Sequence, residues 1–583
     1  MKEIRLYLMV ILFIGLSSTL FAQGNNEYIA VDEYQRTIAK SEKLNTQPQL
    51  SDSVIELSPI KFYIEPTYYE VTFETEPIKP ARLKIKEPLE KLYRGYVKAG
   101  LGMYTMPYLD VYYGSTRSKL ESWGINLKHH SSLTNLKGVG YNRFSDNYIS
   151  GFHKHFLKKA TINNKVSYSR NKYHYYGFDS NDTIIPETYR TNSDTTKQVF
   201  QQINYEGLLK SMHKDSSKIS HTTNLYYYYL NGLTGVEEHD VKIKSNIYKY
   251  IDREEVGADV SFVFNNLSQP LFSPIGSNVT LTPDSRFKSN NSIFKLNPFI
   301  KTRRGNLLAK VGVGIHTEFT QTARFFFYPD LTVSYSLFNN IFVPYAGITG
   351  GMQQNSFDKF RKANPYVLEN ISTIHLQQTV GYRNTNQRIN FYGGFKGSIS
   401  STVSFNLKAQ FERLDNFAMF VNDTMYSYNN KFRVEYDSID KTTISAQIGY
   451  QLQEKINLSL KGMLFNYSTL EEDYAWNQPN YIIALDGTYD LADKIIARLN
   501  ITIVGERKTY SLLPVDGVTA NSDGKYIYDL KSYVDANLGV EYRYNKRLSA
   551  YLDLNNIAGK KYQVWNNYPV YSFNLMGGVT YSF

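Results

Sequence analysis

The sequence contains no cysteine. That excludes disulfides, thiol nucleophiles and thiolate metal sites together. Tryptophan is scarce, with three residues in 583. Long apolar runs are also missing. A helical membrane protein shows several apolar stretches of about 20 residues, and here the one apolar run lies at the N-terminus, from Leu6 to Leu20. The net charge is +11, yet Lys and Arg form no basic block. No recognition helix, zinc spacing or RNA-binding motif accompanies them, so nucleic acid is not an expected partner. Nucleophile elbow, P-loop and Rossmann fingerprints are absent from suitable contexts. The chain is therefore not expected to be an enzyme, and no cofactor is expected.

Other features are abundant. Tyr occurs 51 times and Phe 33 times, and 42% of residues are hydrophobic, while the mean hydropathy is negative. A transmembrane β-barrel reconciles these facts, because apolar and polar residues alternate along each strand and cancel in any window average. In Val403 to Glu412, one face carries Val403, Phe405, Leu407, Ala409 and Phe411, and the other Ser404, Asn406, Lys408, Gln410 and Glu412. In Ser532 to Tyr544, Val534, Ala536, Leu538, Val540, Tyr542 and Tyr544 oppose Asp535, Asn537, Gly539, Glu541 and Arg543. Successive strand residues point to opposite faces, so each segment has an apolar and a polar side.

Segments of this kind run from 92–104 to 573–583 and number about 22, including 291–302, 388–399, 402–414, 431–452 and 494–507. Connections after even-numbered strands are mostly tight, as at Thr302-Arg303-Arg304-Gly305 and Tyr544-Asn545-Lys546-Arg547. Connections after odd-numbered strands are often long, including 267–290, 354–387 and 508–530. One rim of short turns and one of long loops is the outer-membrane layout. A soluble propeller or sandwich array would need a repeat of roughly 40 to 50 residues, and none is present. The expected fold is all-β: a transmembrane antiparallel barrel of about 22 strands.

Residues 1–22 read as a signal peptide: Lys2 and Arg5, then the apolar run, then Ala22 before the expected cleavage. Residues 23–91 contain Pro59, Pro66, Pro77, Pro80 and Pro88, which oppose regular ladders. They are expected to form an irregular periplasmic or lumenal extension before the barrel, 92–583. The expected location is the bacterial outer membrane.

The last strand pairs an apolar face (Leu575, Gly577, Val579, Tyr581, Phe583, preceded by Tyr571 and Phe573) with a polar one. Val579, Tyr581 and the terminal Phe583 resemble the signal read by the barrel-assembly machinery, which becomes an expected partner along with outer-membrane lipid. Lys408, Glu412, Lys461, Arg498, Asp535, Glu541, Arg543 and Asp553 fall on polar strand faces and are candidates for the lumen. Two readings stay open for them: solute selectivity, or mutual pairing along the wall.

From about Asn364 to Phe583 the chain resembles the barrel of TonB-dependent receptors. The residues that carry the likeness are Tyr392-Gly-Gly-Phe-Lys-Gly397, Ser404-Phe-Asn-Leu-Lys-Ala409, Tyr551-Leu-Asp-Leu-Asn-Asn-Ile557, and Lys560-Lys-Tyr562 with Trp565 and Tyr568-Pro569. The resemblance implies a 22-strand barrel, solute passage across the outer membrane, and TonB as a partner. Members of that family carry a plug of well over 100 residues. Here a shorter segment precedes the first strand, and only Ser51-Asp-Ser-Val-Ile-Glu-Leu57 is loosely like a TonB-binding box. The rival expectation is a structural or assembly subunit that holds other envelope proteins.

Smaller clusters carry metal-ligand residue types. His153 and His155 share one strand face, a spacing usable for a metal, but the sequence offers no third ligand beside them. His129 and His130 point to opposite faces. Asp179 to Asp182 and Asn192 to Asp194 offer oxygens that suit calcium, as polar loops commonly do. Glu471-Glu-Asp473 reads as a solvated loop. No metal site is expected.

Overall fold

The computed structural model describes residues 92–583, apart from 137, 179–184, 214–217, 272–274, 276–285, 321, 370–372, 376–377, 513 and 516. The expected signal peptide, N-terminal extension and box-like segment lie outside the described residues.

Twenty-two antiparallel strands form one sheet. They are β1 Gly95–Gly102, β2 Met106–Gly114, β3 Glu121–Ser131, β4 Ser145–Phe156, β5 Ala160–His174, β6 Lys197–Ser211, β7 Ser220–Gly232 and β8 Glu237–Ile251. Then come β9 Glu254–Pro270, β10 Arg286–Arg304, β11 Leu307–Phe319, β12 Ala323–Tyr335, β13 Val343–Gln353, β14 Thr385–Ser398, β15 Val403–Asp423 and β16 Lys431–Leu452. The last six are β17 Ile456–Thr469, β18 Tyr481–Leu491, β19 Ile495–Val504, β20 Tyr533–Arg543, β21 Leu548–Asn555 and β22 Asn574–Ser582. Each strand pairs with its neighbours in sequence, and β22 returns to β1, from Tyr96↔Ser582 to Gly102↔Met576. Closure leaves no edge, which a sheet in lipid requires because no water is there to satisfy free N–H and C=O groups.

The closing seam is built on glycine. Gly100 of β1 lies opposite Gly578 of β22, and the Tyr551 side chain of β21 lies over both. A Cβ at Gly578 would meet the Tyr551 hydroxyl at 2.6 Å and the Gly100 Cα at 2.7 Å. The Lys98 ammonium sits 3.8 Å from the centre of the Tyr551 ring, a cation–π contact that fixes the ring.

Side chains alternate as expected. Ile149, Val166, Ile203, Leu225, Ile243 and Phe262 are exposed on consecutive strands β4 to β9, and Leu552 and Val579 continue the series on β21 and β22. This outward apolar belt fits the hydrocarbon of a bilayer. Tyr113 stacks on Phe583 with centroids 6.2 Å apart and meets Trp123 at 5.9 Å. These rings lie at the short-turn end of their strands, where an aromatic girdle belongs. The turns 252–253 and 305–306 hold two residues each, and Asp252 and Gly305 take positive φ (54° and 56°), as tight hairpins demand.

All 22 strands expected from the sequence are present, but several run longer. β15 continues to Asp423 instead of stopping near 414, because a bulge between Leu414 and Phe417, with Asn416 at φ 51°, carries the chain past a polar break. β10 begins at Arg286 rather than 291. A transmembrane strand needs about 9–11 residues, whereas β15 and β16 have 21 and 22. The excess stands above the membrane at the long-loop rim, where polar residues no longer alternate against lipid. That rim also carries three small hairpins: 373–375 with 378–380, 507–511 with 526–530, and 563–565 with 568–569. The strand expected to reach 507 therefore ends at Val504. Tyr571 and Phe573 precede β22 and are not part of its lipid face; Tyr571 turns its hydroxyl to Ser132 Oγ and the Asn142 carbonyl, each at 3.1 Å.

Candidate functional site: the closed extracellular mouth

The long loops meet across the extracellular end of the barrel. Their centre is the connection 354–384 between β13 and β14, which carries a short helix, Phe357–Ala363. Locally the sequence favours it. The Ser356 hydroxyl caps the helix by accepting from the Lys359 amide at 3.2 Å, Asp358 stands in the first turn, and Arg361 and Lys362 stand in the last. Seven residues are too few for an independent helix in water, so tertiary contacts must hold it.

The barrel wall supplies them. Glu238, at the upper end of β8, accepts the Phe357 and Asp358 amides at 2.8 Å each. It also accepts the Tyr228 hydroxyl at 2.9 Å and Asn265 Nδ2 at 3.0 Å. One fully buried carboxylate thus satisfies two helix donors that have no intrahelical partner. Beside it, Asp240 accepts from Gln354 at 2.9 Å and pairs with Lys242 at 3.2 Å. Asp358 pairs with Arg361 and Lys362 at 2.7 Å each, and Arg361 donates to Gln202 Oε1 of β6 at 3.0 Å. Burial raises the pKa of the Asp358 carboxyl, but the two cations outweigh it and hold it below the usual range. Burial, with Lys242 nearby, lowers the Lys359 ammonium to about 8. Glu369 accepts the Tyr175 hydroxyl at 2.8 Å and pairs with Lys431 at 3.0 Å.

An apolar core surrounds these anchors. Phe357, Phe360, Val367 and Tyr382 of the loop pack with Phe200 of β6, Tyr228 and Leu230 of β7, Leu267 of β9, and Phe420, Phe432 and Val434 of β15 and β16. The wall residues come from nearly opposite sides of the ring, so this core crosses the mouth. Tyr366 stacks on Tyr568 of the β21–β22 connection at 3.4 Å, and the Tyr173 hydroxyl donates to the Pro365 carbonyl at 2.5 Å. Desolvation pushes the Tyr175, Tyr176 and Tyr366 hydroxyls above their ordinary pKa. A second core joins Trp476 and Tyr510 of the connections after β17 and β19 to Leu414, Met419 and Val421. A third joins Met106, Tyr551 and Met576 near the closing seam.

The sequence-derived candidates lie elsewhere, along the barrel strands. Arg498 pairs with Glu541 at 2.8 Å, and Arg543 lies 3.7 Å from Asp490. Asp553 faces Lys98 at 3.8 Å, and Asp535 accepts from Asn537 at 3.0 Å. The Lys408 ammonium stands 4.8 Å from the Tyr392 ring centre. Glu412 is buried opposite Lys441 and accepts from Gln410 at 3.0 Å. Lys461 sits half-buried between Gln447 and Ala484. The candidates are thus spread over β15, β17, β19, β20 and β21 and do not converge on one point. Val579 and Tyr581 of β22, and Phe583 just after it, are exposed.

Two loop readings change. Glu471-Glu-Asp473 is more than a solvated loop: the amides of Leu470, Glu471 and Glu472 converge on the Asp437 carboxylate at 3.1–3.2 Å, and Glu472 pairs with Lys525 at 3.0 Å. Asn192 is a helix cap and Asp194 pairs with Lys197 at 2.6 Å, while 179–182 lie outside the described residues. The mouth anchors Glu238, Asp358, Arg361 and Glu369 were not found from the sequence. The one local signal was Ser356 ahead of the apolar i, i+3 pair Phe357 and Phe360, with Asp358 in the first turn, a helix-start pattern inside a long loop.

No family model matches the sequence, and no curated protein matches it. Solved structures match its fold. The FrpB iron transporter from Neisseria meningitidis superposes with a TM-score of 0.64 at 9% identity, covering 85% of this chain and 82% of that one. The fold is that of the TonB-dependent receptor barrel. The ferripyoverdine receptor FpvA from P. aeruginosa gives 0.62 at 12% identity, with 84% and 72% covered. The ferric-catecholate import receptor Fiu from K12 E. coli gives 0.60 at 9%, with 85% and 82% covered. These neighbours are an import receptor, a receptor and a transporter, and the likeness extends well beyond the C-terminal third that carried it in the sequence.

Proposed function

We propose that the protein is a gated transport barrel of the outer membrane that admits a solute after its extracellular loops release. The closed mouth carries this reading. A 22-strand wall encloses a lumen far wider than side chains fill, and the segment 354–369 lies across its entrance on buried charged anchors. Buried ion pairs are weak sources of stability, and such anchors suit an element with two discrete arrangements. A ligand that binds the released loops better than the docked ones would shift that equilibrium. The inner-wall charges Lys408, Glu412, Lys461, Arg498, Asp535, Glu541, Arg543 and Asp553 then set the field a solute meets, and Val579, Tyr581 and Phe583 serve as the assembly signal. TonB is the proposed energy-coupling partner, by fold analogy. Solute uptake that persists unchanged without TonB would refute that coupling, and uptake unaffected by deleting 354–384 would refute the gate.

The packed mouth favours one second reading, a scaffold for other envelope proteins. In that case the barrel co-purifies stoichiometrically with a partner, and deletion of the loop releases the partner without opening a path for solutes.

A further inference from the structure

We propose that Glu121, His153 and His155 bind a divalent transition-metal ion on the outer face of the barrel, at its periplasmic end. His153 and His155 are two apart on β4 and share a face. Their rings lie nearly parallel with centroids 6.1 Å apart. The missing third group comes from the next strand. Glu121 opens β3 directly opposite His155, and its Oε2 lies 3.3 Å from His153 Nε2. One ligand atom from each of the three residues fits within a mutual 4.8 Å. Tetrahedral zinc with bonds of about 2.0–2.2 Å holds its ligand atoms roughly 3.4 Å apart. The contraction is small for side chains that are about half exposed, 50% for His153 and 52% for Glu121.

The position is defined by its neighbours. Trp123, Ile125 and Leu127, which share the face of Glu121, are exposed, as is Ile149 on the face of His153. The triad therefore looks away from the lumen. His153 stands directly opposite Trp123 of the girdle, and Glu121 with His155 lies two residues further toward the short turns, at headgroup level. Two imidazoles with one carboxylate suit zinc and its neighbours in the first transition row, not calcium or magnesium, which take oxygen ligands. The fourth position opens to water, where a lipid phosphate oxygen or a partner's side chain could enter. The competing account is a plain His153–Glu121 ion pair.

The experiment uses the full chain, untagged, in detergent micelles and stripped by chelator. Calorimetric titration with Zn²⁺ should show one saturable site per barrel. His153→Asn or Glu121→Gln should weaken it at least tenfold, and the double variant His153→Asn/His155→Asn should abolish it, whereas His129→Asn should leave it unchanged. Absence of saturable Zn²⁺ binding, or wild-type affinity in the double variant, overturns the proposal. Should a variant fail to fold, the unmodified protein still decides. Zn²⁺ must protect His153 and His155 from diethyl pyrocarbonate, mapped by mass spectrometry, and equal labelling with and without Zn²⁺ refutes the site.

Discussion

Replacing Glu238 by Ala should release the mouth without unfolding the barrel. The carboxylate accepts four hydrogen bonds, from the Phe357 and Asp358 amides, the Tyr228 hydroxyl and Asn265 Nδ2. Alanine leaves the Phe357 and Asp358 amides buried without this acceptor, whereas the Tyr228 hydroxyl and Asn265 Nδ2 retain Ser356 Oγ and Asp240 Oδ2, each at 3.3 Å. At about 2 kcal/mol per unsatisfied donor, the middle of the usual cost, docking weakens by about 4 kcal/mol. At 1.4 kcal/mol per tenfold, that is an increase of about 10³ in the released population. Glu238→Gln keeps the shape and part of the acceptor capacity, so its effect should be about 1–2 kcal/mol, the difference between charged and neutral acceptors. The assay is amide hydrogen exchange across Phe357–Ala363 in micelles, read by mass spectrometry, with heat-dependent gel migration as the control for an intact barrel. Exchange in 357–363 should accelerate by two to three orders of magnitude in Glu238→Ala (or to the free-peptide limit, if docking is worth less), while strands β1 to β5 stay protected. Unchanged protection at 357–363, or loss of the whole barrel, would refute the anchoring argument.

Other outcomes follow from the same geometry. Phe357→Ala removes a fully buried ring from the mouth core, at a cost of about 3–5 kcal/mol, so protease should cut within 354–384 while the barrel core resists. Gly578→Val places a side chain against the Ala99 carbonyl, the Gly100 Cα and the Tyr551 hydroxyl, so the closing seam should not form; a gel should show loss of the compact unheated band. Lys359 titrates at about 8 in the docked loop, lowered by burial, and near 10.4 when released. Between these values the released state binds more protons, so docking strengthens as pH rises through about 8 to 10.4. The urea concentration needed to expose the loop to proteolysis should rise across that window, and a fall would contradict the assignment.

The barrel was legible because lipid imposes a rule on every strand. Lys408 and Leu407 declare opposite faces from their order alone, and tight turns such as Arg304-Gly305 carry their own chemistry. The register of β15 past Asn416 was less legible, since a bulge there replaces alternation. The mouth was not legible because its pairings are far apart in the chain. Glu238 and Phe357 are separated by 119 residues, and Tyr173 and Pro365 by 192. No periodicity links such residues; their meeting depends on the curvature of a closed wall. The third member of the Glu121–His153–His155 cluster was hidden for the same reason, since it becomes visible only through the β3–β4 register.

The extracellular mouth of this barrel is closed by its own loops. Single-channel recording in planar bilayers tests it most directly. The intact protein should show no large steady conductance, and Glu238→Ala should produce frequent large openings. Large, stable conductance from the intact protein, indistinguishable from that of Glu238→Ala, would contradict the account.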